Sequence, residues 1–283
     1  MMLKLKGVQK RYQDFCLDCS LEVREGYITG LIGANGAGKS TTFKAILGLI
    51  QIEGGTIEIF GKNQKEFSVR EKEEIGVVLS EHTFSYMMTI KDVIKVMEAM
   101  YRKFDTKQFL KKCQDYGLPL EKKIKEFSTG MKAKFKVLIA MSYQAKLLIL
   151  DEPTVGLDSV TRSELLDEMR EYMCQEGRAI LISSHISSDL EGICDDLYFM
   201  QNGKILFHED TDVILSEYAM LKVNEEQYQT LDKTYLLYQK KVPFGYELLT
   251  KERQYYLENY PGIVIEKGSI DEVVLFIMKG EAV

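Results

Sequence analysis

Gly33-Ala34-Asn35-Gly36-Ala37-Gly38-Lys39-Ser40-Thr41 carries the spacing G-x-x-x-x-G-K-[ST], and its neighbours decide the fold. Residues 27–32, just before it, are mostly apolar and end at a glycine, as a buried strand does. Residues 39–47 read as a helix, so strand, glycine-rich turn and helix follow one another without a gap. In that setting the glycines allow a tight turn that aims backbone N–H groups inward at phosphate oxygens. The helix adds the positive end of its dipole. Lys39 is the point charge for the β- and γ-phosphates, and Ser40 offers a hydroxyl to Mg2+. The motif predicts nucleotide binding.

A second strand points to the same edge. Residues 147–150 are apolar and deliver Asp151 and Glu152 at their C-terminal end, where ligands bind in parallel α/β sheets. Asp151 suits the Mg2+ shell, and Glu152 the task of orienting or deprotonating an attacking water. Without the phosphate loop, two acids before Pro153 read equally well as a surface turn. Residues 179–183 form another apolar strand, separated from the last by an amphipathic segment, 162–176, that stops at Gly177. This alternation predicts a buried parallel sheet with crossover helices. Segments 2–6, 19–23 and 55–60 alternate at the strand period and predict a half-exposed antiparallel sheet. Segment 89–115 reads as helical with a break near Asp105-Thr106, and 130–144 as a further helix. Beyond about residue 209, strands at 220–223, 235–238 and 263–266 mix with short helical pieces. There Ser269-Ile270-Asp271-Glu272 is a capping box opening a last helix over 270–279.

The chain has 283 residues, of which 45% are hydrophobic and 28% charged, an ordinary globular balance. Its formal net charge of −6 argues against nucleic acid as the main partner. No stretch approaches the ~20 apolar residues of a membrane span, and the N-terminus lacks the apolar core of a secretory signal. The sequence therefore reads as a soluble chain whose membrane role has to come through a partner. Cys16-Leu17-Asp18-Cys19 is formally a C-x-x-C, but strand residues three apart face opposite ways and no second pair completes a metal site. The five cysteines read as reduced thiols.

Tyr12, the loop 33–41, Phe127-Ser128-Thr129-Gly130-Met131, the strand ending in Asp151-Glu152, Gly156-Leu157-Asp158 and His185 occur in the order and approximate spacing of an ABC-type ATPase cassette, which the chain resembles over about residues 2–210. The resemblance implies an α/β fold of the P-loop NTPase class. It would have an N-terminal antiparallel β subdomain, a helical subdomain inserted at about 82–145, and a small C-terminal α+β appendage. On that reading residues 1–210 form the ATPase domain and 211–283 an accessory domain. It implies an ATP-hydrolysing subunit with Mg2+, dimerised head to tail with itself or another cassette, docked on a separate transmembrane subunit at the inner face of the membrane. Tyr12 would stack on adenine; as a residue alone it reads as a strand-end tyrosine. Ser128, Thr129 and Gly130 would reach the γ-phosphate of the partner's ATP; alone, Ser128 reads as a helix cap. Asp158 would signal across the dimer seam, and His185 would hold the γ-phosphate and the water with Glu152. His82 and His208 read as surface residues.

Two positions depart from the family pattern. The signature reads FSTGM where the family has LSGGQ, placing Thr129 where a glycine approaches phosphate. Ser80-Glu81 stand where a glutamine that touches Mg2+ is expected; either Ser80 or Glu81 could take over that role, Glu81 as a metal candidate through its charged oxygen. Met87, Met88, Met97 and Met100, with Phe84, Tyr86 and Tyr101, read mainly as core and partly as an adaptable docking surface. The signature and the Ser183-Ser184-His185 segment resemble cassettes of small bacterial exporters tied to peptide-antibiotic resistance or export. Two other readings stay open: a non-transport ABC-type ATPase acting on ribosomes, DNA or chromosomes, and a regulatory cassette with little turnover.

Overall fold

The computed structural model describes residues 1–79 and 84–283. Ser80, Glu81 and His82 lie outside the described residues. The chain divides into two compact units. The first is Met1–Cys194 with Met200–Ile205, the second Asp195–Phe199 with Leu206–Val283, and the hairpin of Asp196–Gln201 and Lys204–Asp210 contributes to both.

In the first unit the strands Ile28–Ile32, Ala179–Ser184, Leu147–Asp151 and Ile75–Val78 lie side by side in that order, each parallel to the next. The first three are buried along their whole length. Both faces are covered, which is why these strands read as unbroken apolar runs rather than as alternation. The pairing puts Asp151 opposite Ser183 and Ile32 opposite Ser184, so the loops that follow these strands open at one edge of the sheet.

A separate antiparallel sheet has the order Cys16–Val23, Leu3–Arg11, Gly54–Ile59, Lys62–Asn63. Its central strand runs well beyond the 2–6 expected from period-two alternation. A bulge between Leu5 and Val8, with Gly7 at φ 54, shifts the pattern by one residue and hides the second half. Cys16 is exposed and Cys19 buried, on opposite faces of their strand, and no disulfide is formed among the described residues.

The helical region consists of Ile90–Met100, Thr106–Asp115 and Thr129–Met141. The break expected near Asp105 is a real cap, Asp105 accepting from the Gln108 N–H. Phe135 is buried and packs against Phe84, Phe109 and Phe127. Of the methionines, Met97 is buried whereas Met87 and Met100 are exposed. The helix expected at 162–176 is Ser159–Met173, three residues earlier at each end. Apolar periodicity alone misplaced it, because the start is set by Asp158, whose side chain accepts from the Thr161 N–H.

The second unit holds an antiparallel sheet in the order Val264–Lys267, Ala219–Val223, Gly245–Thr250, Leu236–Val242, Glu281–Ala282. Its central strand, Gly245–Thr250, was not expected. It is joined to Leu236–Val242 by the two-residue turn Pro243-Phe244, which lacks the Asn-Gly or Asp-Gly chemistry that announces a hairpin. Leu221, Leu248 and Tyr256 form the centre of this unit's core. The capping box predicted at Ser269 and Glu272 is present and opens Ile270–Lys279 as expected. His208 is exposed, as expected, and within this unit it stacks on Tyr198 and lies 3.0 Å from the Asp196 carboxylate. No described helix is long and apolar enough to cross a membrane.

Candidate active site

The helix Lys39–Ile46 begins directly after the strand Ile28–Ile32 and the glycine loop, and no side chain caps its N-terminus. Its first N–H groups face the loop, where phosphate oxygens are natural partners. Gly38 sits at φ 115, and a Cβ there would lie 2.9 Å from the Phe15 ring. A Cβ on Gly33 would meet the Met200 carbonyl oxygen at 2.5 Å. Both positions therefore require glycine. The loop lines a cup of about 300 Å³ whose walls include Phe15, Asn35, Lys39, Ser40 and Glu152.

Lys39 is buried, its Nζ donating to the Gly33 carbonyl at 2.6 Å and lying 3.0 Å from Glu152 Oε1. That last contact is an ion contact without hydrogen-bond alignment. Glu152 Oε2 is 2.7 Å from His185 Nδ1 and also accepts from the His185 backbone N–H at 3.3 Å. One carboxylate thus joins the phosphate-loop lysine to the histidine. Glu152 has φ 51, a left-handed conformation that a non-glycine residue holds only when its surroundings enforce it, at about 1–3 kcal/mol. The enforcing bond is visible: the Glu152 N–H donates to Ser183 Oγ at 3.0 Å, and that hydroxyl donates to Asp151 at 2.7 Å. Ser183 therefore sets the pair of carboxylates, a role the sequence did not reveal. Only the pairing of two distant strands brings it opposite Asp151.

Ser128 caps Thr129–Met141, accepting from the Met131 N–H at 3.2 Å, so its local structural role coexists with the one the family pattern implies. A Cβ on Gly130 would lie 3.1 Å from the Thr161 methyl, which gives that glycine a packing reason. Thr129 is packed near Gly156, whose added Cβ would lie 3.6 Å from its methyl. Asp158 accepts from both the Thr161 N–H and its hydroxyl, and these bonds hold its carboxyl below the usual carboxylate range. Tyr12 stands about half exposed just past the strand Leu3–Arg11, with Phe15 6.3 Å away between ring centres. Phe15, not Tyr12, lines the phosphate cup. An aromatic three residues after Tyr12 was the available signal.

A family model described as "ABC transporter" matches residues 16–155. The lantibiotic transport ATP-binding protein SrtF of Streptococcus pyogenes is 35% identical over 215 residues, covering 75% of this chain and 92% of the relative. The chain belongs to the ABC transporter ATP-binding family. The ABC transporter ATP-binding protein YtrB of Bacillus subtilis is 31% identical over 206 residues, 73% of this chain and 70% of that protein. A solved ATP-binding subunit of an ABC transporter superposes with a TM-score of 0.68 at 27% identity, covering 76% of this chain and 92% of the other. As an ABC cassette, the chain is an ATP-binding ATPase of the transport-coupled type. The glycine loop, Asp151, Glu152 and His185 lie together at one edge of its parallel sheet.

Proposed function

We propose that this chain hydrolyses Mg·ATP as the energising subunit of an exporter of peptide-type antibiotics, paired head to tail with a second cassette and docked on a separate membrane subunit. The observation that carries the hydrolytic reading is the continuous link Lys39–Glu152–His185 on the phosphate-loop edge. Lys39 and the loop N–H groups bind and orient the phosphates. Glu152, held by Ser183 and His185, is placed to take a proton from the attacking water. Phosphoryl transfer asks mainly for such positioning and charge stabilisation.

The donors present fit Mg2+. Ser40 contributes an exposed hydroxyl at the loop, and Asp151 a buried carboxylate ordered by Ser183. No cluster of three or more His, Cys, Asp or Glu that could hold a metal occurs among the described residues. Mg2+ is commonly bound by one carboxylate together with hydroxyl, water and substrate phosphates. When bound, the ion neutralises charge on the phosphate oxygens.

The membrane partner fits a second feature. A groove of about 1030 Å³, separate from the phosphate cup, is lined by Leu49, Ile50, Phe67, Leu79, Met100 and Tyr101 among others. Leu49 and Met100 are more than half exposed. An apolar trough with a flexible methionine at its rim suits an amphipathic helix from another chain. The peptide-antibiotic cargo is supported by the likeness to SrtF, named for lantibiotic transport. Reconstitution with a candidate membrane subunit tests the reading. ATP turnover is expected to rise on assembly and again with a lantibiotic, and Met100→Asp to lose co-purification. Turnover that ignores both the membrane protein and the peptide counts against an exporter and for a regulatory or non-transport cassette.

A further inference from the structure

Beside the catalytic link lies a second buried cluster that the reaction as described does not use. Asp189, only 2% exposed, sits four residues after His185 in the short helix Ser187–Glu191. Its Oδ2 accepts from the Thr154 hydroxyl at 2.7 Å. Thr154 is fully buried and lies two residues after Glu152. Asp189 Oδ1 is 3.1 Å from the Arg162 guanidinium, which also donates to the Leu157 carbonyl at 3.4 Å. Arg162 belongs to the helix Ser159–Met173, whose cap is Asp158. One carboxylate therefore ties together the turn after Glu152, the segment before Asp158, and the segment after His185.

We propose that Asp189 is a positioning residue for ATP hydrolysis, clamping through Thr154 and Arg162 the two loops whose relative placement sets the Glu152–His185 contact. The proposal rests on the reading of Glu152 and His185 as the hydrolytic pair. Glu152 and His185 follow neighbouring parallel strands, but strand pairing ends at Asp151 and Ser183. Past that point the 2.7 Å contact depends on what holds the two loops together. Glu152 is also in a left-handed backbone conformation, so a turn released from its anchor relaxes away from this geometry. The Thr154–Asp189 bond spans the same two loops on their buried side. Burial makes it effective, since a carboxylate out of water gains more from each hydrogen bond and charge than one in solvent. The clamp touches neither the phosphate loop nor Lys39, so it affects turnover and leaves ATP binding intact.

The test uses Thr154→Val, which keeps the shape and removes the hydroxyl, with Thr154→Ser as the restoring variant. In the full-length protein, Thr154→Val is expected to lower kcat about 10- to 100-fold, the range for a sub-ångström to ångström misplacement of catalytic groups. The ATP dissociation constant is expected to stay within about twofold. Thr154→Ser is expected to recover near wild-type kcat, and Thr154→Val combined with Asp189→Asn to fall no further than the more severe single change. Unchanged kcat in a folded, ATP-binding Thr154→Val protein overturns the proposal. So does a loss shared equally by ATP affinity and kcat, or one that Thr154→Ser does not restore. Failure of the underlying reading shows separately, as wild-type turnover in Glu152→Gln.

Discussion

Replacing Glu152 by glutamine changes one charge and almost no volume, and the structure predicts opposite effects on binding and turnover. Glu152 Oε1 stands 3.0 Å from Lys39 Nζ, with side-chain exposures of 14% and 5%. At an effective dielectric constant near 20, the gross attraction between charges at that distance is about 5 kcal/mol. Desolvation of both groups removes most of this. The contact also lacks hydrogen-bond alignment, so a net share of about 1–2 kcal/mol is reasonable. An arriving phosphate competes with Glu152 for the same ammonium. Removing the carboxylate charge therefore tightens ATP binding about tenfold, since ~1.4 kcal/mol is a factor of ten. Turnover falls about 10²- to 10⁴-fold, the usual contribution of a positioned general base. Calorimetric titration with Mg·ATP and a phosphate-release assay on the same protein read the two effects separately. Wild-type turnover in Glu152→Gln refutes Glu152 as the hydrolytic base. Weaker ATP binding refutes the competition for Lys39.

Two further predictions concern stability and reactivity. Phe135→Ala removes the centre of the aromatic cluster in the helical region and is expected to cost about 3–5 kcal/mol, measured by urea unfolding; a loss under 1 kcal/mol contradicts the packing described. Burial pushes the thiol of Cys19 up to about 11 and that of Cys113 up to about 12, so both stay protonated at pH 8. Thiolate is the reactive form, so iodoacetamide at pH 8 is expected to label exposed Cys16 and Cys174 in minutes and Cys19 and Cys113 only after unfolding. Equal labelling of Cys16 and Cys19 in the folded protein contradicts their placement on opposite faces.

The phosphate loop was legible from the chain alone because its chemistry is local. Adjacent residues supply the glycine conformations, the helix N-terminus and Lys39, and the flanking apolar run already marks the strand. The same holds for the Asp151–Glu152 pair and for the Ser269 capping box, each written within a few consecutive positions. Period-two reading failed where one residue broke the count, at the Gly7 bulge, and where a hairpin turn lacked glycine chemistry, at Pro243-Phe244. Tertiary structure alone decided the rest. Ser183 orders the Asp151–Glu152 pair because strand pairing sets it opposite Asp151. Phe15 walls the phosphate cup because the turn between two strands sets its ring against Gly38, and Asp189 meets Thr154 across 35 residues of chain. A residue's backbone conformation can be read from its neighbours in sequence; its partner across a sheet cannot, since that depends on which strands become adjacent when the core closes.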